Sequence, residues 1–288
     1  MLLLFIVAIV CFTFQNIFFK QFSLVYMKNN ASYFVFNAIY FSFVCIFYTV
    51  LGISISNFEF SIVALGLVFA VFFISGIFLY MKALENGPLG LSFLFFAAGI
   101  LAPILFGIIY YDEPAPLHNF IGLGLLFISF FVSTLGKGGS KVNKKWIIYI
   151  LLSSLSNGIV GIAVKLSSTI VPENASRDFL FLGFGQAAVI SFIIGILLIY
   201  RHKSKISHFY ALPFAFVAIA TAVTTTGGNY VMVLLSLSVP ALVQFPIING
   251  SLVITSIIAS RVVYKEQVMK QHLLAILIGL IAIILLSI

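Results

Sequence analysis

Ten times along its 288 residues the chain runs for about 20 residues with hardly a charge. These stretches lie at about 2–22, 32–51, 61–83, 88–110, 117–136, 146–167, 179–200, 209–235, 239–262 and 270–287. A helix needs roughly 20 mostly apolar residues to cross a bilayer. Strands of an outer-membrane barrel would be about half as long and would alternate polar with apolar residues. The pattern therefore predicts an all-α polytopic membrane protein with ten transmembrane helices. Composition agrees. Charged residues make up 8% and hydrophobic residues 62% of the chain, against about 25% charged in a soluble domain. A soluble fold of this size could not cover its surface with so few charges.

The formal net charge of +8 does not indicate nucleic acid, because the basic residues lie in short connections between apolar stretches. One set of connections carries Lys28, Lys82, the run GKGGSKVNKK, the run RHKSK, and Arg261, Lys265 and Lys270. The opposite set carries Arg177 against Glu59, Asp112, Glu113, Glu173 and Asp178. Short Lys/Arg-rich loops stay in the cytoplasm. The expected location is the cytoplasmic membrane, with loops 23–31, 137–145, 201–208 and 263–269 inside and both termini outside. The N-terminal stretch has no basic n-region or small-residue cleavage site, so it reads as a retained helix. Cys11 and Cys45 fall inside apolar stretches and suggest neither a disulfide nor a zinc site.

The basic run at 137–145 separates residues 1–136 from 146–288, five apolar stretches on each side. The halves resemble one another. LENGPLGLS (84–92) matches SLSVPALVQ (236–244), which sets Pro88 on Pro240 at an offset of 152 residues. The same offset sets Gly76 on Gly228 and Phe78 on Tyr230. YYDEP (110–114) matches VYKEQ (263–267), pairing Tyr111 with Tyr264 and Glu113 with Glu266. FTFQNIFFKQFS (12–23) lies over NGIVGIAVKLSS (157–168), so Lys20 falls on Lys165. With an odd number of crossings per half, the second repeat must be inverted relative to the first. Transporters built in this way hold their substrate near the bilayer midplane between the repeats. Inverted repeats also occur in some channels and structural membrane proteins.

Taken in order, these motifs resemble a ten-helix member of the drug/metabolite transporter superfamily, EamA type. The residues that carry the resemblance are Asn16 to Lys20, Tyr80 to Pro88 and the Glu113 turn before IGLGLLFISF. Their counterparts are Lys165, Tyr230 to Pro240, and Glu266 before ILIGLIAI. The resemblance implies a secondary transporter of a small organic metabolite. Many bacterial members of the family have cytoplasmic termini, the reverse of the orientation that the charges here predict.

Polar side chains within the apolar stretches are the candidate substrate contacts, because a polar group in hydrocarbon needs a partner and turns toward the bundle interior. They are Asn16, Lys20, Ser75, Tyr80, Asn157, Lys165, Thr225, Asn229, Tyr230, Gln244 and Asn249. Asn16 and Lys20, four apart, share a helix face, and Asn157 and Lys165, eight apart, nearly do. Pro88, Pro103, Pro240 and Pro246 are candidate hinges, since an internal proline removes a helix hydrogen bond. The simpler readings are that the lysines snorkel to the interface, that the amides and hydroxyls join helices, and that Glu113 and Glu266 cap helix starts. Asn37 and Gln186 read as helix-joining residues.

All seven acids fall in connections or at the ends of apolar stretches. The expectation is a uniporter or exchanger, or proton coupling without a buried acid. An anionic or zwitterionic metabolite suits Lys20 or Lys165 better than a cationic drug does. No metal or other cofactor is expected. The partners expected are a small-molecule substrate and the bilayer, for a monomer or a homodimer. An intramembrane enzyme would need a catalytic constellation, yet His118, His202, His208 and His272 lie in connections or at stretch ends. A P-loop is absent, which excludes primary active transport by this chain alone. The alternative function is a non-transporting accessory or scaffold subunit.

Overall fold

The computed structural model describes residues 1–52, 59–87, 89–112, 116–134, 144–170, 176–202, 212–236, 239, 241–265 and 270–286. The described residues form helices and their connections, without strands. In chain order the helices are α1 (Leu2–Val25), α2 (Asn30–Val50), α3 (Phe60–Asn86), α4 (Leu89–Ala97), a 3-10 turn (Ala98–Ile100), α5 (Leu101–Tyr110), α6 (Leu117–Thr134), α7 (Lys144–Ile170), α8 (Ser176–His202), α9 (Leu212–Ser236), α10 (Ala241–Val262) and α11 (Lys270–Leu286). Among the described residues, six helical segments are long and apolar enough to cross a membrane: Leu2–Val25, Asn30–Val50, Phe60–Asn86, Leu91–Tyr110, Lys144–Ser167 and Asp178–Arg201. The chain thus has the character of a helical membrane protein. In lipid the backbone must satisfy its own hydrogen bonds, and a helix does so within one segment.

Local sequence explains where helices begin and break. Asn29 ends the first connection, and its side-chain oxygen accepts from Ser32 N at 2.8 Å and Ser32 Oγ at 2.9 Å, which caps α2. The fourth apolar stretch is not one straight helix. It narrows to a 3-10 turn at Ala98–Ile100 and resumes as α5. Pro103 has no N–H to offer the Gly99 carbonyl four residues earlier, so the α-helical ladder fails there.

The outward faces are rows of apolar side chains. Val7, Val10 and Phe14 line one side of α1, Ile148, Leu151, Leu152 and Leu155 one side of α7, and Ile247, Ile254 and Ile258 one side of α10. Many polar residues, by contrast, are buried: Asn16, Asn37, Ser92, Ser153 and Thr225 are all under 9% exposed. A lipid-facing exterior around a polar interior reverses the usual pattern of a soluble domain.

Helix α3 packs on α7 and α8, α2 on α8 and α9, α1 on α9, α10 and α3, α6 on α11, and α4 on α10 and α7. The 3-10 turn and α5 lie against α7. There the backbones nearly touch. A Cβ on Gly99 would lie 2.4 Å from Ser154 O, and one on Gly161 would lie 2.9 Å from Pro103 Cγ. Stacked and edge-on rings fill the remaining seams. Phe22 stacks on Phe36 at 3.9 Å between centroids, and Phe69 meets Phe184 edge-on at 5.3 Å.

Candidate functional site

Three polar positions in the second half of α1 have distinct roles. Lys20 is 3% exposed, and its Nζ donates to Leu84 O at 2.6 Å and to Gly87 O at 2.9 Å. These carbonyls end α3, where the helix has no N–H of its own to offer them. Lys20 therefore ties α1 to the α3 terminus, where a cation is also favoured by the helix dipole. Asn16 Oδ1 accepts from Tyr80 Oη at 3.3 Å. Gln15 donates through Nε2 to Tyr40 Oη at 3.4 Å and to Thr225 Oγ1, and the Tyr40 and Thr225 hydroxyls lie 2.8 Å apart. A buried polar triad thus joins α1, α2 and α9.

The corner between α3 and α4 is filled from α7. Trp146, 2% exposed, donates its Nε1 hydrogen to Ser92 Oγ at 2.9 Å and meets Phe95 edge-on at 5.3 Å. Its ring occupies the space that any side chain at Gly87 would need, since a Cβ there would lie 2.4 Å from ring atoms Cδ1 and Nε1. Beyond the end of α10, Tyr264 Oη donates to Ile17 O at 2.7 Å and so fastens this segment to α1. Its counterpart Tyr111 follows α5 and lies beneath Lys165 Nζ, 5.5 Å from the ring centroid, which is within cation–π range.

Asn157 donates from Nδ2 to Phe96 O at 3.2 Å, and Phe96 lies 4.7 Å from Tyr80 between centroids. Asn229 donates from Nδ2 to Thr225 O at 2.8 Å. Thr13 and Thr255 hydroxyls meet at 2.7 Å between α1 and α10. Neighbour relations fix the depth of these groups. Gly76 abuts Ser156, Gly228 abuts the Phe12 ring, and Asn16 meets Tyr80. Phe12, Asn16, Tyr80, Phe96, Asn157 and Asn229 therefore share one stratum near the middle of the bundle.

Within this stratum, Phe12 and Asn157 are partly exposed, as is Asn249 on α10, although each points away from the lipid-facing row of its helix; the α10 residue at the level of Thr13 is Thr255. At 100° per residue, Asn157 lies about 180° from Ile148 and Asn249 about 160° from Ile247. By the same rotation, Phe12 lies about 140° from Val7. Exposure on an inward face means that space remains inside the bundle at this level.

The structure brings together Asn16, Tyr80, Asn157, Thr225 and Asn229 in this layer, with Asn249 on α10 facing the same interior. Lys20 and Lys165 lie toward the ends of their helices. Ser75 points to the outer side of α3 and donates to Val71 O at 2.6 Å, so it is not part of the layer. Tyr230 is partly buried against the apolar core. Pro103 sits just after the 3-10 turn. Pro88, Pro240, Glu113 and Glu266 lie outside the described residues, as do the side chains of Gln244 and Pro246. Gln186 Nε2 donates to Val63 O at 3.1 Å between α8 and α3. Asn37 is fully buried on α2 beside Tyr33.

Sequence reasoning did not single out Tyr40, Phe12, Phe96 or Thr255. One tyrosine among 12, in a chain with 33 phenylalanines, carries no local sign that its hydroxyl meets Thr225. Phe12 could have been found, because the repeat alignment sets it directly on Asn157. Compared with known proteins, the chain matches no family model and no curated protein.

Proposed function

We propose that the chain is a secondary transporter that moves a small organic metabolite across the cytoplasmic membrane by alternating access. In this reading it has ten spans, α4 and α5 forming the fourth, arranged as two inverted five-helix repeats. The observation that carries it is the uncharged polar layer at mid-depth, set on helices from both halves and bordered by internal space.

The packing supports the repeat. The alignment pairs α1 with α7, α2 with α8, α3 with α9, α4–α5 with α10, and α6 with α11. Exchanging partners turns the α3–α7 contact into α9–α1 and the α3–α8 contact into α9–α2. It returns α2–α8, α4–α10 and α6–α11 to themselves, and all of these contacts are present. The cross-half tyrosines obey the same exchange: Tyr264 reaches α1 and Tyr111 reaches α7. Two halves related in this way can rock about a fixed central site, as in other inverted-repeat transporters. The resemblance to EamA-type transporters of the drug/metabolite superfamily, drawn from the motifs, points the same way.

Vesicles holding the purified protein, exposed to a labelled extract of cell metabolites, are expected to take up a small subset of compounds saturably, read by mass spectrometry. Flux equal to that of empty vesicles would leave the accessory-subunit reading in its place. Orientation has its own test. A reporter active only in the cytoplasm, fused to the C-terminus, is expected to be silent, because the basic connections place both termini outside. Full activity of that fusion would reverse the topology.

A further inference from the structure

We propose that the mid-depth layer takes a small, planar, uncharged molecule that carries N–H donors on its edge and lies between aromatic rings. This deepens the transport reading and rests on it for the premise that the layer takes a ligand.

Asn157 and Asn229 each direct an N–H into a backbone carbonyl, Phe96 O and Thr225 O. Their carboxamide oxygens accept no hydrogen bond from a described residue, and both side chains keep partial exposure. An amide whose nitrogen is engaged presents an acceptor. Two such acceptors at one depth call for a ligand with N–H donors. A carboxylate would instead set its own lone pairs against them.

Charge then excludes the ionic alternatives. Of the two lysines that the sequence offers to an anion, Lys20 is almost wholly buried and holds Leu84 O and Gly87 O, and Lys165 lies over the Tyr111 ring toward the end of its helix, away from the layer. A cation is disfavoured too, because all seven acids lie in connections or near helix ends. An unpaired charge at membrane depth is costly in either sign. Shape supplies the last element. Phe12 and Phe96 are partly exposed in the same stratum, and Tyr80 packs on Phe96 at 4.7 Å between centroids. The alignment sets Phe12 on Asn157, so each half brings one member of this pair to the centre. Ring faces favour a flat partner.

Three probes share one ring and differ in charge: benzamide, benzoate and benzylamine, the last a cation at neutral pH. Each is titrated against the full-length, detergent-purified protein, and the melting temperature is read. At about ten times its Kd, benzamide is expected to raise the melting temperature by about 2–4 °C, and the two ions to leave it unchanged. Asn157→Leu is expected to weaken benzamide about tenfold. Asn229→Ala serves as the second variant should the first fail to fold. Asn157→Asp is expected to move the preference to benzylamine. Stabilisation by benzoate or benzylamine equal to that by benzamide overturns the proposal, as does a lack of response to all three or an unchanged affinity in the folded amide variants. Melting does not require flux. Benzamide binding without any metabolite flux would therefore defeat the transport reading alone, and flux of charged metabolites without benzamide binding would defeat this one alone.

Discussion

Replacing Lys20 by methionine is expected to destabilise the protein by about 2–3 kcal/mol, the scale of losing hydrogen bonds to a charged donor. Two effects oppose each other. Methionine removes a buried charge, and its apolar chain suits the site, which favours the variant. However, the Leu84 and Gly87 carbonyls stay where α3 ends, and methionine offers them no donor. Unsatisfied carbonyls in hydrocarbon cost several kcal/mol, so the loss prevails. The melting temperature in detergent should fall by about 5–9 °C. A change under about 1 °C would show that water reaches this helix end and that Lys20 is an ordinary snorkelling side chain.

Gly99→Ala is expected to be as damaging, for a steric reason. The new Cβ would lie 2.4 Å from Ser154 O, 3.0 Å from Gly158 N and 3.1 Å from Asn157 Cβ. Two of these are backbone atoms that cannot rotate aside, so α7 and the fourth apolar stretch must separate. Alanine gains about 1 kcal/mol over glycine in helix propensity, but overpacking a tight contact costs about 1–3 kcal/mol and at times more. With backbone on the opposing side, the upper end applies and the net loss is about 2 kcal/mol. Gly124→Ala is the matched control, because a Cβ there meets nothing within 4 Å. It should leave the melting temperature unchanged or slightly raised. Equal behaviour of the two variants would refute the close contact at Gly99.

The gross architecture was readable because lipid imposes one rule on every segment: enough apolar residues to cross, folded as helix. In each of the ten apolar stretches the described residues are almost all helical, with ends displaced by a few residues, as at Asn30–Val50 and Lys144–Ile170. The break in the fourth stretch was only half readable. Pro103 marks the neighbourhood, but the 3-10 turn falls before it, at the carbonyl that loses its α-helical donor and accepts from Leu101 N instead. The interior was harder. Ser75 and Asn157 look alike as isolated polar residues, yet one donates to its own helix on the outer side and the other reaches Phe96 on a different helix. That difference depends on helix rotation and on neighbours remote in sequence, which no local pattern encodes. Lys20 was ambiguous for the same reason. Its position near a helix end suited snorkelling or ligand binding, and only the placement of α3 shows that it serves another helix's terminus.

The corner where Trp146 fills the space beside Gly87 has an optical consequence. It holds the only indole in the chain, sealed among Phe95, Ser92 and the α3 terminus. Parting of α7 from α3 and α4 would bring water to that ring and shift its emission to the red, so the protein's native fluorescence reports directly on movement at this junction without any added label.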